Sequence, residues 1–480
     1  MVGAEGDSPM GAEEHCDVIV LGVGTSGEDL ALRLASSGFD VIGVTDELVG
    51  GECAYWACIP SKMMTRAANL LAEARRADGI AAHTSVTPDW SPVAARVREE
   101  AAGGWDDSAA QARFEARGGR LVRGRGRLTG SRTVTVGDTT ITARRGVVIA
   151  TGSKPVVPPI PGLADVAYWT THDAIQTSEL PGSLVVLGGG AVGCELGQVF
   201  ARYGVDVTIV EGADRLLPLE EPEASAAVGE ALAADGVRQH TGSRAERVAE
   251  AGGHVGVTLS DGSTVEGDRL LVATGRAPVL DDVGLAAAGI DGSSGVIPVD
   301  DRLRAADGVW AMGDVTGVAM FTHVALAQAR VIGADIAGED PPGIEYHAIP
   351  RVTFTDPEVG AVGLSESEAR AAGLDVAVTV KPVPATFRGW LHGPGSAGLV
   401  KLVADRGAGV LVGATAVGPA GGEVVGILSL AVHARIPLEQ LRSMIYAFPT
   451  FHGAVGEAVG AYALGLQDVL DPDGDRSLHM

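Results

Sequence analysis

The 480-residue chain is poor in positive charge and in aromatic residues, which make up 4% of it. Its 36 lysines and arginines are outnumbered by 61 aspartates and glutamates, which gives a formal net charge of −25 without a basic stripe. Nucleic acid and anionic membrane surfaces are therefore disfavoured as partners. No apolar run approaches the roughly 18 residues that a membrane-spanning helix needs, so we expect no membrane partner.

Signal-peptide features and cysteine are also scarce. The N-terminal MVGAEGDSPMGAEEH is acidic and lacks an apolar stretch, which predicts a cytoplasmic location. Four cysteines in such a chain are too few for a disulfide framework. Two of them, Cys53 and Cys58, lie five positions apart in GGECAYWACIPSK, and so close a pair is either redox-active or a metal site. Zinc would need further ligands that this stretch does not offer, so we expect no metal.

A strand, a glycine turn and a helix are predicted just before this pair. The apolar VIVLGVG, residues 18–24, runs into Gly22, Gly24 and Gly27, and EDLALRLASSG then reads as an amphipathic helix. Glycines at these positions permit a tight turn, close approach of a pyrophosphate and close helix packing, while the helix start offers N–H donors. The pattern indicates a dinucleotide-binding unit.

The same pattern recurs 166 positions later. LVVLGGG, residues 184–190, contains Gly188 and Gly190, and Gly193 follows in the predicted helix. Two such units in one chain indicate two nucleotides, or one large cofactor and one diffusible nucleotide.

The two units differ where an acid is expected to bind the ribose hydroxyls. Glu211 stands 23 positions after Gly188, whereas the position 23 after Gly22 is Thr45, followed by Asp46. We expect Glu211 to hold the second nucleotide's ribose. In the first unit Thr45 or Asp46 takes this role, or the segment is a plain turn.

Three more apolar stretches predict strands that end in tight turns: VVIATG, LLVATG and VWAMGD. The acid of the last stretch is either a hydrogen-bond acceptor for a polyol chain or a turn residue near a helix start. The candidate cofactor-binding residues at these strand ends are Thr151, Gly152, Gly275, Gly313 and Asp314.

Together with the C-terminal RVTFTDPEVGAVGLSESEA, these motifs resemble the flavoprotein disulfide reductases, which include dihydrolipoamide dehydrogenase, glutathione reductase and mercuric reductase. The resemblance runs from about residue 16 to 467. It implies an α/β fold with two Rossmann-like dinucleotide-binding domains, one for FAD and one for a nicotinamide nucleotide, and a C-terminal α+β dimerisation domain. It also implies a homodimer in which each active site is completed by the other subunit.

The resemblance divides the chain as follows. The FAD-binding domain comprises residues 1–155 and 276–345, on either side of an NAD(P)H-binding domain, residues 156–275. A dimerisation domain, residues 346–470, and a tail, residues 471–480, follow.

It also implies roles for the cysteine stretch. Cys58 begins a predicted helix whose dipole would stabilise its thiolate against the flavin. Cys53, in the looser segment before this helix, would exchange with substrate through a mixed disulfide, and Gly51 would contribute to the FAD site. Lys62 and Glu195 match the family's ion pair beside flavin N5. Read from the residues alone, the cysteines are also compatible with two packed thiols, and either charged residue with a surface charge.

One departure from the family lies in YAFPTFHGAVGE, residues 446–457. Where the family's reductases have a histidine and, five residues later, a glutamate, this chain has Phe448 and Gly453. Phenylalanine cannot act as a general acid-base. His452 or Tyr446 is the candidate substitute proton donor, with an exposed helix-surface position as the alternative for His452.

The predicted activity is reduction of an unidentified small-molecule disulfide or other electrophile by NADH through FAD and the dithiol. NADH is preferred to NADPH because Glu211 would repel a 2′-phosphate, although Arg215 lies four residues further on. The alternatives are an FAD-dependent oxidase or dehydrogenase of a thiol, and a non-catalytic FAD- and NAD-binding redox sensor.

Overall fold

The computed structural model describes residues 12–340 and 343–463. The first part of the acidic N-terminus and the predicted tail lie outside this range. One compact unit contains residues up to Pro60, Arg96–Val156 and Arg276–Ile344; the other contains Ser61–Ala95, Val157–Gly275 and residues from Glu345 on. In the described residues no helix is long and apolar enough to cross a membrane.

The first unit is built on an eight-stranded sheet with a parallel centre. The strands Thr139–Ile149, Glu13–Leu21 and Val41–Thr45 lie side by side in parallel. The valine- and isoleucine-rich parts of these strands, residues 18–21, 41–45 and 147–149, are buried on both faces, as expected for central parallel strands. The other strands of this sheet are Gly119–Arg123, Gly126–Gly130, Thr133–Val136, Arg304–Ala306 and Val309–Ala311.

Helices cover this sheet. Thr25–Ser36 buries Leu30, Ala31 and Leu34 along one stripe, and Thr322–Ala337 ends at Gly338 in the left-handed conformation. The remaining α-helices with residues in this unit are Gly51–Tyr55, the first turn of Cys58–Arg76, Ser108–Ala116 and the last residue of Ser91–Arg96. A small antiparallel ribbon pairs Ser153–Pro155 with Arg276–Pro278.

The second unit has a four-stranded parallel sheet in the order Arg238–His240, Asp206–Val210, Ser183–Leu187, Arg269–Val272. Its middle strands repeat the parallel pairing of the first unit. A three-stranded antiparallel sheet comprises Ala245–Ala251, His254–Leu259 and Thr264–Gly267. The α-helices of this part are Ser61–Arg76 of the helix that begins at Cys58, residues 91–95 of Ser91–Arg96, Thr171–Gln176, Ala191–Arg202 and Pro222–Ala234.

The C-terminal part of the second unit is a five-stranded antiparallel sheet covered by helices. Its main helix, Gly421–His433, buries Val424, Val425 and Leu428 in an apolar core shared with the sheet. The strands, in sheet order, are Pro350–Thr353, Glu358–Gly363, Val410–Gly418, Leu399–Asp405 and Val376–Pro382. The other helices are Glu366–Ala371, Phe387–His392, Leu438–Ser443 and Gly453–Ala463.

The predicted fold class is confirmed: two parallel α/β sheets, each with a glycine turn, precede an α+β region. The helix Gly453–Ala463 is preceded by a turn in which Thr450 Oγ1 accepts from Gly453 N–H at 3.2 Å. One local expectation is wrong: Cys53, expected in a looser segment, lies in the short helix Gly51–Tyr55.

Candidate active site

The first glycine turn is shaped by backbone packing. Gly22 has φ +102°, and a Cβ on it would lie 2.2 Å from Ala150 O. A Cβ on Gly27 would lie 2.0 Å from Gly22 O. The helix Thr25–Ser36 therefore packs so closely against the turn that only glycine fits at these two positions.

Gly24, between them, faces open space instead. The nearest atom to a Cβ built on Gly24 is the Cα of Gly51, at 4.0 Å. A Cβ on Gly51 would in turn lie 2.8 Å from Gly24 Cα, and Thr25 Oγ1 donates to Gly50 O at 2.9 Å. The turn, the glycine pair and the helix start thus meet around a space in which backbone can approach a pyrophosphate, so the residues fit an FAD.

Asp314 lies in a polar cluster within the same unit. Its Oδ2 accepts from Ser153 Oγ at 2.5 Å, and Arg276 Nε donates to Ser153 Oγ at 2.8 Å. Gly313 N–H donates to the buried Gln328 Oε1 at 2.6 Å. Sequence reasoning missed Ser153 and Arg276, although each directly follows an ATG turn.

Each ATG turn ends in a glycine with positive φ and open space beside it. Gly152 has φ +67° and Gly275 has φ +129°, and a Cβ on either would meet no atom within 4 Å. Thr151 Oγ1 donates to Val279 O at 2.7 Å. The Thr151 hydroxyl therefore braces its turn, and the two glycines leave room for a ligand.

Thr45 and Asp46, the two candidates for binding the first nucleotide's ribose, lie at the end of the strand Val41–Thr45 and just after it. Thr45 is buried, and its Oγ1 accepts from Glu47 N–H at 3.1 Å. Asp46 is exposed. The Thr45 hydroxyl thus closes a tight turn. A hydrogen bond from this hydroxyl group to a ribose would have to form in addition to the bond that it accepts from Glu47.

Cys53 and Cys58 form a disulfide with Cα atoms 4.6 Å apart. Cys58 is the first residue of the helix Cys58–Arg76, the cysteine helix, and both cysteines are half-buried. Thr322 Oγ1 lies 3.6 Å from Cys58 Sγ, a neighbour that the sequence did not indicate. A thiolate at Cys58 would have a helix N-terminus and a hydroxyl donor beside it.

The corresponding glycines of the second turn make nearly the same close contacts as those of the first. Gly188 has φ +106°, and its Cβ would lie 2.4 Å from Ala273 O; a Cβ on Gly193 would lie 1.9 Å from Gly188 O. Gly190 again has open space, with no atom within 4 Å of a Cβ. This turn therefore fits a second dinucleotide.

Glu211 is fixed at the edge of this second turn. Its Oε2 accepts from Gly189 N–H at 2.6 Å and its Oε1 from Ala213 N–H at 2.7 Å. Each oxygen keeps a second lone pair for a ribose hydroxyl. Sequence reasoning missed Gly189, whose Cβ would lie 3.2 Å from Glu211 Oε2; the triple glycine in LVVLGGG was its signal.

Lys62 and Glu195 meet in the second unit. Lys62 Nζ donates to Glu195 Oε2 at 2.6 Å, and Glu195 is 6% exposed. Glu195 Oε1 accepts from Phe354 N–H at 2.8 Å, and Lys62 Nζ lies 4.6 Å from the centre of the Phe354 ring. Phe354 therefore contacts both charged residues, and no local pattern in the sequence indicated it.

The two candidate proton donors of the C-terminal segment, Tyr446 and His452, have different surroundings. Tyr446 donates its O–H to Leu441 O at 3.1 Å, and burial raises the pKa of its phenol. His452 lies in the turn before the helix Gly453–Ala463, with its ring 6.5 Å from that of Tyr446.

Phe448, in the same segment, is 74% exposed and contacts the Phe387 ring edge-on, with the ring centres 5.2 Å apart. Glu457 follows His452 by five residues and pairs with Lys381 at 3.0 Å.

The sequence profile described as pyridine nucleotide-disulphide oxidoreductase matches residues 16–329. The profile of the dimerisation domain of the same family matches residues 349–459.

Individual relatives span nearly the whole chain. Dihydrolipoyl dehydrogenase from Halobacterium salinarum is 35% identical and aligns over 94% of this chain and 96% of its own length. Mercuric reductase from Bacillus cereus is 32% identical over 90% of this chain and 69% of its own. The HOCl-induced flavoprotein disulfide reductase RclA from Escherichia coli superposes with a TM-score of 0.82 at 27% identity, over 92% of this chain and 99% of RclA.

Proposed function

Because this chain belongs to the pyridine nucleotide-disulphide oxidoreductases, a family of FAD-dependent enzymes, we propose that it carries electrons from a nicotinamide nucleotide through Cys53–Cys58 to a small-molecule disulfide or other electrophile. The carrying observation is the Cys53–Cys58 disulfide at the start of the cysteine helix, within the same unit as the first glycine turn.

When bound, FAD supplies two-electron transfer between nicotinamide and disulfide. Two electrons break the Cys53–Cys58 bond and one proton is taken up, which leaves Cys58 a thiolate and Cys53 a thiol. The helix N-terminus and the Thr322 hydroxyl, 3.6 Å from Cys58 Sγ, favour the charge on Cys58.

Cys53 completes the cycle by thiol–disulfide exchange. Once deprotonated, it attacks one sulfur of the substrate, forms a mixed disulfide and releases the first thiol with a proton. Cys58 then attacks Cys53 Sγ, which restores the internal disulfide and releases the second thiol. Each released thiol requires a proton, so the exchange needs an acid-base group near Cys53.

Anaerobic titration of the purified protein with NADH tests this function. We expect a long-wavelength absorbance band from a thiolate next to oxidised flavin after two electrons. Cys53→Ser should show the band without reductant, because it leaves a resting thiolate at Cys58, and Cys58→Ser should never show it. Reoxidation by disulfides, compared with oxygen, separates a reductase from a thiol oxidase. Wild-type spectra in the double variant would refute the proposal.

We assign the nucleotide sites by the same reasoning. The residues proposed to hold FAD are Gly22, Gly24, Gly27, Thr45, Asp46, Gly51, Lys62, Thr151, Gly152, Gly313 and Asp314. Those proposed to hold the nicotinamide nucleotide are Gly188, Gly190, Gly193, Glu211 and Gly275.

We propose that this nucleotide is NADH. The Glu211 carboxylate would repel a 2′-phosphate. Arg215 donates instead to two carbonyls of its own loop, Pro218 O at 2.9 Å and Glu220 O at 3.3 Å, which supports the preference. Stopped-flow flavin reduction by each nucleotide is the measurement, and faster reduction by NADPH would contradict the preference.

The acid-base group is proposed to be His452, in place of the family's histidine and glutamate, which Phe448 and Gly453 replace. Tyr446 is the weaker candidate because its O–H is donated to Leu441 O. Because Phe448 cannot transfer a proton, dihydrolipoamide and glutathione disulfide should be turned over about 10²- to 10⁴-fold more slowly than by a histidine-containing reductase unless His452 also serves these substrates. His452→Gln should flatten the pH–rate profile of disulfide turnover; an unchanged profile would remove His452 from the mechanism.

The dimerisation domain supports a homodimer. We propose that His452 acts on Cys53 of the partner subunit. Mixing subunits that carry only Cys53→Ser with subunits that carry only His452→Gln tests this, because half of the heterodimer's sites would then be intact. The cytoplasmic location remains a prediction.

A further inference from the structure

Phe354 touches both members of the Lys62–Glu195 ion pair. Its backbone N–H donates to Glu195 Oε1 at 2.8 Å, and the opposite oxygen, Oε2, accepts from Lys62 at 2.6 Å. The Lys62 ammonium also lies 4.6 Å from the centre of the Phe354 ring, within the range of a cation–π interaction. One residue thus fixes the anion through its backbone and the cation through its side chain.

The segment that carries Phe354 is held by one face of the helix Ala191–Arg202. Gln198 Nε2 donates to Asp356 O and its Oε1 accepts from Asp356 N–H, at 2.9 and 2.8 Å. Arg202 donates to Asp356 Oδ2 at 2.8 Å. Glu195, Gln198 and Arg202 follow each other at spacings of three and four residues, so they lie on a single face. Gln198 and Arg202 are 3% and 2% exposed, so these contacts are shielded from water.

The cysteine helix contacts both this segment and the helix Ala191–Arg202. Arg76 donates to Asp356 Oδ2 at 2.5 Å, and Asn69 Oδ1 accepts from Arg202 at 2.7 Å. Lys62, Asn69 and Arg76 are spaced by seven residues, which places them along one side of this helix. The ion pair is therefore one end of a continuous polar contact, about 20 Å long at 1.5 Å per residue, that fixes the register of the two helices.

We propose that Phe354 is a positioning residue that sets where the Lys62 ammonium sits during electron transfer. The proposal rests on the proposed function, in which Lys62 lies beside the flavin. Lysine is a point charge on a flexible four-carbon stem, and this side chain is 34% exposed. The ammonium also donates to Glu195 Oε2 at 2.6 Å and to Ser61 Oγ at 3.3 Å. The Phe354 ring adds a further restraint, from a different direction, on the position of the ammonium.

Phe354→Leu tests the role of the ring, because leucine keeps the backbone N–H and an apolar side chain but has no π face. We expect the rate of flavin reduction by NADH to fall two- to ten-fold and the long-wavelength band to weaken. Phe354→Tyr, which keeps the aromatic face, should restore both. Leucine and tyrosine variants that both differ from wild type by the same amount would overturn the proposal.

A double-mutant cycle separates an effect through Lys62 from a general loss of packing. In a Lys62→Met background, Phe354→Leu should change neither the reduction rate nor the band further. An equal effect in both backgrounds would overturn the proposal. The matched control is Phe39→Leu, which removes another cation–π contact, with Arg145 4.7 Å from the Phe39 ring; it should lower the melting temperature without changing the band.

The spectra also distinguish a failure of the proposed function from a failure of the proposed role of Phe354. Wild-type protein that shows no band and no dithiol after two electrons would refute the proposed function and this inference with it. A normal wild-type band together with an unaltered band and reduction rate in Phe354→Leu would refute the inference alone.

Discussion

The two glycine turns have nearly the same close contacts between glycine and backbone carbonyl oxygens, but they differ in the residues at the strand ends, where a nucleotide's ribose is expected to bind. In the first, Cβ atoms on Gly22 and Gly27 would lie 2.2 and 2.0 Å from carbonyl oxygens; in the second, the distances at Gly188 and Gly193 are 2.4 and 1.9 Å. At the strand ends, a buried threonine in the first unit stands against a carboxylate held by two backbone N–H groups in the second. Close packing requires glycine at the same positions in both turns. The residues at the strand ends are not constrained in this way and can differ between the two nucleotide sites.

The strongest test of this comparison is to break the helix packing in each turn separately. Gly27→Ala and Gly193→Ala both force a methyl group against a carbonyl oxygen, which costs about 1–3 kcal/mol or more. We expect Gly27→Ala to purify without flavin. Gly193→Ala should stay yellow but no longer be reduced by NADH.

Absorbance at the flavin maximum and anaerobic reduction by dithionite separate these outcomes. Dithionite should still reduce the flavin of Gly193→Ala, because the first turn is intact. Loss of flavin from both variants would mean that the two turns do not bind separate nucleotides.

The next largest effect is expected from the two strand ends. Glu211→Ala removes a charged acceptor, and hydrogen bonds to charged groups are worth roughly 1.5–3 kcal/mol, so NADH reduction should slow by about 10- to 100-fold while NADPH gains. Thr45→Val should change flavin affinity less than about threefold, because the Thr45 hydroxyl already closes its own turn. Nucleotide affinity and flavin release measure the two effects; a large loss of flavin from Thr45→Val would assign Thr45 to the ribose.

The parts of the molecule that repeat could be predicted, and the parts that depend on long-range contacts could not. The glycine spacing and apolar runs predicted both strand–turn–helix units, because these signals are local. Phe354 is 292 positions from Lys62 in sequence, and nothing local marks it. Ser153 and Thr322 reach Asp314 and Cys58 only through the tertiary fold.

A smaller effect is expected at the middle glycines, which face open space. A methyl group at Gly24 or Gly190 meets no backbone closer than 4 Å, so neither substitution to alanine should lower the melting temperature of the nucleotide-free protein. Each should weaken its own nucleotide about tenfold by narrowing the pyrophosphate's approach. Isothermal titration of each variant with FAD and NADH checks this. An alanine that lowers the melting temperature and leaves affinity unchanged would place the nucleotide elsewhere.

The smallest expected effect concerns the two free thiols, one in each unit, whose reactivity can be compared with that of Cys53 and Cys58. Cys16 and Cys194 are buried. Burial raises the pKa of Cys16 to about 12 and also raises the pKa of Cys194. A thiol reacts as its thiolate, which is only a minor fraction well below the pKa, so at pH 8 neither buried thiol should react appreciably with iodoacetamide in the folded protein. Mass spectrometry should find no label before reduction and label on Cys53 and Cys58 alone after it. Labelling of Cys16 or Cys194 under native conditions would show that the unit containing it opens on the timescale of the reaction.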